Sequence, residues 1–532
     1  MLKASFTSCF AIFFLFAFAQ RSFDVLHYRF DIGLNDQNDS LKGKAMITLR
    51  FNEPASLVTL DLVPVNEAGK GMLAYAFFDD SVSISGRQKG DKLELALQHP
   101  AKKDDTCHLL IQYRGIPADG LIISKTKYGR RSFFADNWPN RGHNWLPCVD
   151  DPSDKATVEF IVTAPQHYQV VANGIQVEET WLAGNEKKTH WNEDVPTATK
   201  VMVIGVADFA VGLAGSINDC IPVYSWVYPE ERDKGFYDYA QAMDILPFYI
   251  KNVGPYGYKK LANVQSKTTF GGLENANTIF YHENSITGGR KSEGLMAHEI
   301  AHQWFGNMAT EKSFAHLWLS EGFATFMTIA YLESKYGRDT AMAMRNEDRE
   351  QVIAFAKKSD RPVVDETRDY MKLLNANSYQ KGGWVLHMLQ NQLGNSVFWK
   401  SIRNYYAAYA GKNADTKDLQ SVFEKTSGKD LSSFFHQWLY TPGLPKLEVD
   451  WKYKATENKL VVHFKQMQKT AFIFPMDIEI KTSKGSVVKT VSLTMAEQDF
   501  SIPVNGPVTG IILDPHTNLL FDATVNEAKT QR

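Results

Sequence analysis

The chain has 532 residues, 44% hydrophobic, 22% charged and 12% aromatic, with a formal net charge of −2. That length exceeds what a single core supports and points to about three or four domains. The near-balanced charge gives no electrostatic ground for nucleic acid or an anionic membrane as a partner.

In chain order, Lys3 precedes the apolar run Phe10-Ala-Ile-Phe-Phe-Leu-Phe-Ala-Phe-Ala19, which ends in an A-x-A-like site. The run is short for a bilayer span, so residues 1–19 read as a cleaved secretory signal, with an uncleaved anchor as the alternative. Export to the periplasm or the exterior follows from that reading. No later segment is long and apolar enough to cross a bilayer, so no integral membrane association is expected after cleavage. Cys107, Cys148 and Cys220 then remain, spaced too widely for a metal-ligand pair motif and able to form one disulfide at most.

Residues 20–207 read as β structure. Alternating runs such as Ala45–Phe51, Lys92–Leu97 and His108–Tyr113 are broken by Gly, Pro, Asn and Asp. Over 208–443 the period lengthens to that of helices, including Asp238–Val253, Leu295–Phe305, Glu321–Tyr336 and Tyr379–Leu393. The helical pattern stops near Thr441-Pro-Gly-Leu-Pro445. Alternation returns in Leu447–Trp451, Leu460–Phe464 and Met476–Ile480, so 444–532 reads as a small β-sandwich. The fold class is multidomain α+β.

The helical region carries His298-Glu-Ile-Ala-His302, and Glu321 follows after eighteen residues. Residues i and i+4 share a helix face, so His298 and His302 can grip one metal ion. Glu299 lies about 100° round the helix from His298, beside the ion, where it can hold a water. Gly306-Asn307 supplies a helix stop. Ser320 is a candidate N-cap for the next helix, which places Glu321 in its first turn. Two neutral imidazoles, one carboxylate and an open position form a catalytic zinc donor set, which implies one Zn2+ per chain. The bland alternative is a buried helix whose histidines bond to backbone groups. No P-loop or G-x-S-x-G elbow is present, which weakens nucleotide-hydrolase and serine-hydrolase readings.

Upstream, Phe270-Gly-Gly-Leu-Glu-Asn275 places Glu274 24 residues before His298. This stretch is similar to the exopeptidase signature G-x-M-E-N of the M1 family of zinc aminopeptidases. Leu146–Ala156 with Val171-Ala-Asn-Gly174, Asn377-Ser-Tyr-Gln-Lys-Gly382 and Gln437–Gly443 resemble further segments of that family, in its order. The resemblance implies an N-terminal antiparallel β saddle (20–207), a thermolysin-like, mainly helical zinc-peptidase domain (208–443) and a C-terminal β-sandwich (444–532). It implies zinc at His298, His302 and Glu321, with Glu299 as general base and Tyr379 supporting the tetrahedral intermediate. Glu274 would hold the free α-amine of a peptide substrate, and Gly271 and Gly272 would contact its backbone.

Three departures stand out. Leu273 replaces a common methionine. Phe134-Ala-Asp-Asn-Trp-Pro-Asn-Arg141 stands where many relatives carry a substrate-contacting glutamine, which makes Asp136 and Trp138 candidates for that wall. Many relatives continue into a large helical domain, so the resemblance implies a short form with a more open or partner-covered channel. Two other readings stay open: a gluzincin endopeptidase, which keeps the zinc set without needing Glu274, and a catalytically silent peptide-binding protein. Epoxide hydrolysis, known in one branch of the family, has little to rest on here. Nothing in the sequence specifies an oligomeric state or a preferred N-terminal side chain.

Overall fold

The computed structural model describes residues 21–528. The secretory-signal reading of 1–19 lies outside the described residues. Cys107, Cys148 and Cys220 are free thiols.

The N-terminal region is built from β-sheets. The largest has eight strands, and Leu41–Phe51 shows how it forms: Leu41, Gly43, Ala45, Ile47, Leu49 and Phe51 face inward while the residues that alternate with them face out. Within this sheet all pairings are antiparallel except Phe23–Gly33 with Lys155–Pro165, which is parallel. The expected all-antiparallel saddle is corrected on this point. A parallel pair needs a long crossover, and the 121 residues between Gly33 and Lys155 supply one. Two smaller sheets, of four and three strands, share its core.

The middle region is less uniformly helical than its period implies. It opens with a five-stranded sheet in the order Ala210–Ile217, Ile221–Val227, Leu261–Ser266, Thr278–His282, Gly272–Leu273. Leu261–Ser266 is buried along its whole length and carries Asn263 and Gln265, so it shows no alternation. Helices follow, among them Glu293–Ala301, Trp318–Tyr336, Arg338–Ala356 and Gly382–Leu393. The expected helix Asp238–Val253 is instead two, Arg232–Tyr239 and Ala242–Asn252. The C-terminal region is β-rich, with a four-stranded and a three-stranded sheet whose inward residues, including Val449, Val462, Met476 and Ile480, join the core of the middle region.

Two cores meet at the middle region. Leu273, Phe280 and Phe314 belong to the N-terminal core, whereas Met296, Ala297, Ile300 and Phe323 belong to the other. The edge strand Gly272–Leu273 therefore faces the helix Glu293–Ala301 across the seam, and the functional cleft opens there.

Candidate metal centre and active site

The helix Glu293–Ala301 presents His298 and, at its C-terminal cap, His302 on one side. The expected continuation to Phe305 is cut short, and Gly306 turns the chain with φ at 112°. The helix Trp318–Tyr336 starts before Ser320, so Ser320 is not its cap. Its hydroxyl instead lies 3.0 Å from His302 Nδ1. Glu321 does fall in the first turn, and its Oε2 lies 3.2 Å from His298 Nε2 and 3.3 Å from His302 Nε2. All three ligand atoms lie within 4.8 Å of one another.

These separations suit a metal. A tetrahedral ion with bonds near 2.1 Å holds neighbouring ligand atoms about 3.4 Å apart. The tautomer suits it too: His302 Nδ1 lies 3.1 Å from the Phe305 carbonyl, which can only accept, so Nδ1 carries the proton and the Nε2 lone pair is left for an ion. Burial lowers the pKa of His298 and favours its neutral form. Burial also opposes charge on His302, but Glu321 outweighs it and moves that imidazole to about 10; a cation at Nε2 would take the place of that proton. Glu321 is buried, yet its two histidines hold it well below the usual carboxylate range.

Around this triad the cleft, about 240 Å³, brings together Gly271, Gly272, Glu274, Glu299 and Tyr379. Burial pushes the Glu299 carboxyl well above its ordinary range. A β-carbon at Gly272 would collide with the Glu299 carboxylate, so glycine at this position is a requirement of close approach. Glu274 is 5% exposed, and its Oε1 has no hydrogen-bond partner among the described residues. Its side chain leaves the end of a strand whose ladder reaches only to Gly272–Tyr281 and Leu273–Phe280.

Tyr379 sits in a π-helical turn, Asn377–Lys381, ahead of the helix Gly382–Leu393. Such widened turns recur at functional sites. Its ring lies 6.0 Å from that of His298 and nearly parallel to it. Burial, then Glu321, Glu274 and Glu299, raise the phenol well above 10, so it stays a neutral donor. Gly322 and Gly382 bring the two helices together: a methyl at Gly322 would sit 2.8 Å from the Gly382 α-carbon. Lys381, fully buried, donates to the Gly443 carbonyl at 2.6 Å and ties the turn to the end of the helical region.

Of the two wall candidates, Trp138 lines the cleft, packed edge-on against Phe270 at 5.9 Å. Asp136 does not line it. The carboxylate is fully buried, paired with Arg141 and accepting from Thr268 at 3.3 Å, so it is used inside the fold. The sequence offered Ser320 as a helix cap and Asn307 as part of a helix stop, not as residues of the site, and it did not single out Gln303. Gln303 and Asn307 are amides just past the ligand helix, each 1% exposed, and a polar residue amid apolar neighbours was the available signal.

Comparison with known proteins gives two matches to family descriptions. The Peptidase M1 N-terminal domain matches residues 25–201, and the Peptidase family M1 domain matches 237–438. Aminopeptidase 2 of Candida albicans is 26% identical over 91% of this chain and 56% of its own length. Probable aminopeptidase 1 of Sulfurisphaera tokodaii is 24% identical over 94% of this chain and 64% of its own. Tricorn protease-interacting factor F2 of Thermoplasma acidophilum is 27% identical over 80% and 54% respectively. The chain thus spans about half the length of these curated relatives.

Proposed function

The chain belongs to peptidase family M1, and from that premise we propose that it is a zinc-dependent aminopeptidase that releases the N-terminal residue of peptides. The observation that carries this reading is the shared cleft of the His298–His302–Glu321 triad and Glu274, whose buried Oε1 has no hydrogen-bond partner among the described residues. The aminopeptidase names of two of the relatives point the same way. On this reading 20–207 is the N-terminal saddle domain, 208–443 the thermolysin-like domain and 444–532 a β-sandwich. Residues 1–19 are the signal that exports the chain.

The residues divide the work. His298, His302 and Glu321 hold the ion, which when bound supplies Lewis acidity, lowering the pKa of a water from 15.7 toward roughly 7. Glu299 accepts the proton that the attacking water gives up and delivers it to the leaving amine nitrogen. Its burial suits it to hold a proton between those two steps. Tyr379 donates its hydroxyl hydrogen to the carbonyl oxygen as that oxygen becomes negative, and its raised pKa keeps the hydrogen in place. Glu274 accepts hydrogen bonds from the substrate ammonium, while Gly271 and Gly272 let the peptide backbone lie close. An internal peptide offers Glu274 only an uncharged amide, which leaves a buried carboxylate uncompensated. That disfavours the endopeptidase reading. The presence of both Glu299 and Tyr379 disfavours a silent peptide binder, which has no chemical need of either.

Turnover of an aminoacyl-arylamide before and after chelation tests the proposal. Activity should vanish on metal removal and return with zinc. Hydrolysis that survives complete metal removal would contradict it.

A further inference from the structure

The carbonyl of Glu274 raises a separate question, because it lies beyond the last ladder pair of its edge strand and the sheet cannot satisfy it. A buried carbonyl left without a donor forfeits its hydrogen bonds to water and destabilises the fold. Here two side-chain amides supply the donors. Asn307 Nδ2 donates to Glu274 O at 2.6 Å, and Gln303 Nε2 donates to the same oxygen at 3.1 Å. Both come from the segment that carries the metal ligands: Gln303 adjoins His302, and Asn307 lies in the turn that ends the helix.

The donors are themselves held. Gln303 Oε1 accepts from the backbone N–H of Asn277 at 2.7 Å, on the return from the Glu274 strand. The carbonyls of Asn307 and Met308 accept from Lys155 Nζ at 2.9 and 2.7 Å, which anchors the turn to the N-terminal region. The Glu274 carbonyl therefore joins its strand to the segment that follows the ligand helix, and Lys155 ties that segment to the N-terminal sheet.

We propose that Gln303 and Asn307 are positioning residues that fix the distance between Glu274 and the metal ligands, and so make the site read a substrate's free amino end. This rests on the aminopeptidase reading above. The chemistry makes such a clamp necessary. In a peptide the terminal nitrogen and the scissile carbonyl carbon are attached to one α-carbon, so their separation is covalently set. A carboxylate on a strand and ligands on a helix must match that separation, and a misplacement of about 1 Å can cost about 100-fold in rate. Neutral amides suit this task, since they bind the carbonyl without adding charge beside Glu274.

The test is Gln303→Met and Asn307→Leu, each of similar size to the native residue, alone and combined with Glu274→Ala. Zinc content and thermal melting are recorded with the kinetics of an aminoacyl-arylamide. Each folded, zinc-loaded single variant should lose about 10- to 100-fold in kcat/KM. In the Glu274→Ala background the same changes should cost no more than a few-fold, because nothing remains to be positioned. A merely structural role would lower activity in both backgrounds alike. Wild-type kcat/KM in both zinc-loaded single variants, or losses that multiply fully with Glu274→Ala, would overturn the clamp. If Glu274→Ala itself left kcat/KM unchanged, the amine-binding reading beneath it would fall, which is a different outcome from failure of the clamp alone.

Discussion

Gly272 lies so close to Glu299 that a methyl group on its α-carbon would occupy the space of the Glu299 carboxylate. The backbone of Gly272 is otherwise ordinary for any residue, so the contact alone demands glycine. Gly272→Ala should displace Glu299 and cut kcat by about 100-fold, with zinc still bound. At Gly271 an added methyl meets only Leu295 Cδ1, at 3.8 Å, so Gly271→Ala should act on KM and not on kcat. Steady-state kinetics of both variants decide this; equal effects on kcat would contradict it.

Glu299→Gln keeps the shape of the side chain and removes the proton acceptor. The expected loss in kcat is about 100- to 10,000-fold. Metal analysis should show unchanged zinc, since the ligand atoms that converge are those of His298, His302 and Glu321. Full turnover in metal-loaded variant protein would refute the assigned role.

Tyr379→Phe should lower kcat by about 100- to 1,000-fold with little change in KM, because the hydroxyl acts on charge that develops only in the transition state. Burial and the surrounding carboxylates hold this phenol well above 10. Wild-type kcat in the folded, zinc-loaded variant would contradict this role.

Ser320→Ala removes the hydroxyl that lies 3.0 Å from His302 Nδ1. The Phe305 carbonyl remains as partner, so His302 loses one of two constraints on its ring. Zinc affinity should weaken by about tenfold, at the lower end of the range for outer-shell partners, and competition with a chromophoric chelator measures it. Unchanged affinity would mean that the carbonyl alone orients the ring.

Outside the residues that line the cleft, His143 Nδ1 lies 2.6 Å from Asp150 Oδ2. Burial opposes charge on this imidazole, but the hydrogen bond and charge of Asp150 prevail and raise its pKa above 6.5. The folded state thus holds this proton more tightly than the unfolded chain does. The resulting stabilisation is complete below pH 6.5 and is lost as pH rises through the higher folded value. Urea unfolding of wild type and His143→Gln should show a stability difference that shrinks as pH rises from 6 to 9. A difference that grows over that range would contradict the sign.

The legible part of the site was the part set by local geometry. His298, His302 and Glu321 follow from helix spacing, and the helices supply it. Glu274 and Tyr379 became meaningful through resemblance, since neither a turn glutamate nor a tyrosine ahead of a helix declares a role. Ser320 misled because an N-cap and an inward-facing hydroxyl in a first turn look alike in sequence; the helix begins at Trp318. The five-stranded sheet escaped notice because its central strands, buried on both sides, lack the alternation that marks half-exposed strands. Asp136 and Trp138 stand two residues apart, yet one is spent on Arg141 and the other walls the cleft. Partners 132 residues away, such as Thr268, decide that difference.

The central claim is that the cleft cuts peptides from a free amino end. Mass spectrometry of one defined peptide, offered with a free and with an acetylated N-terminus to the zinc-loaded protein, tests it most directly. Stepwise loss of N-terminal residues from the free peptide, with the acetylated one left intact, is the predicted result. Internal cleavage of the acetylated peptide at a comparable rate would contradict the account.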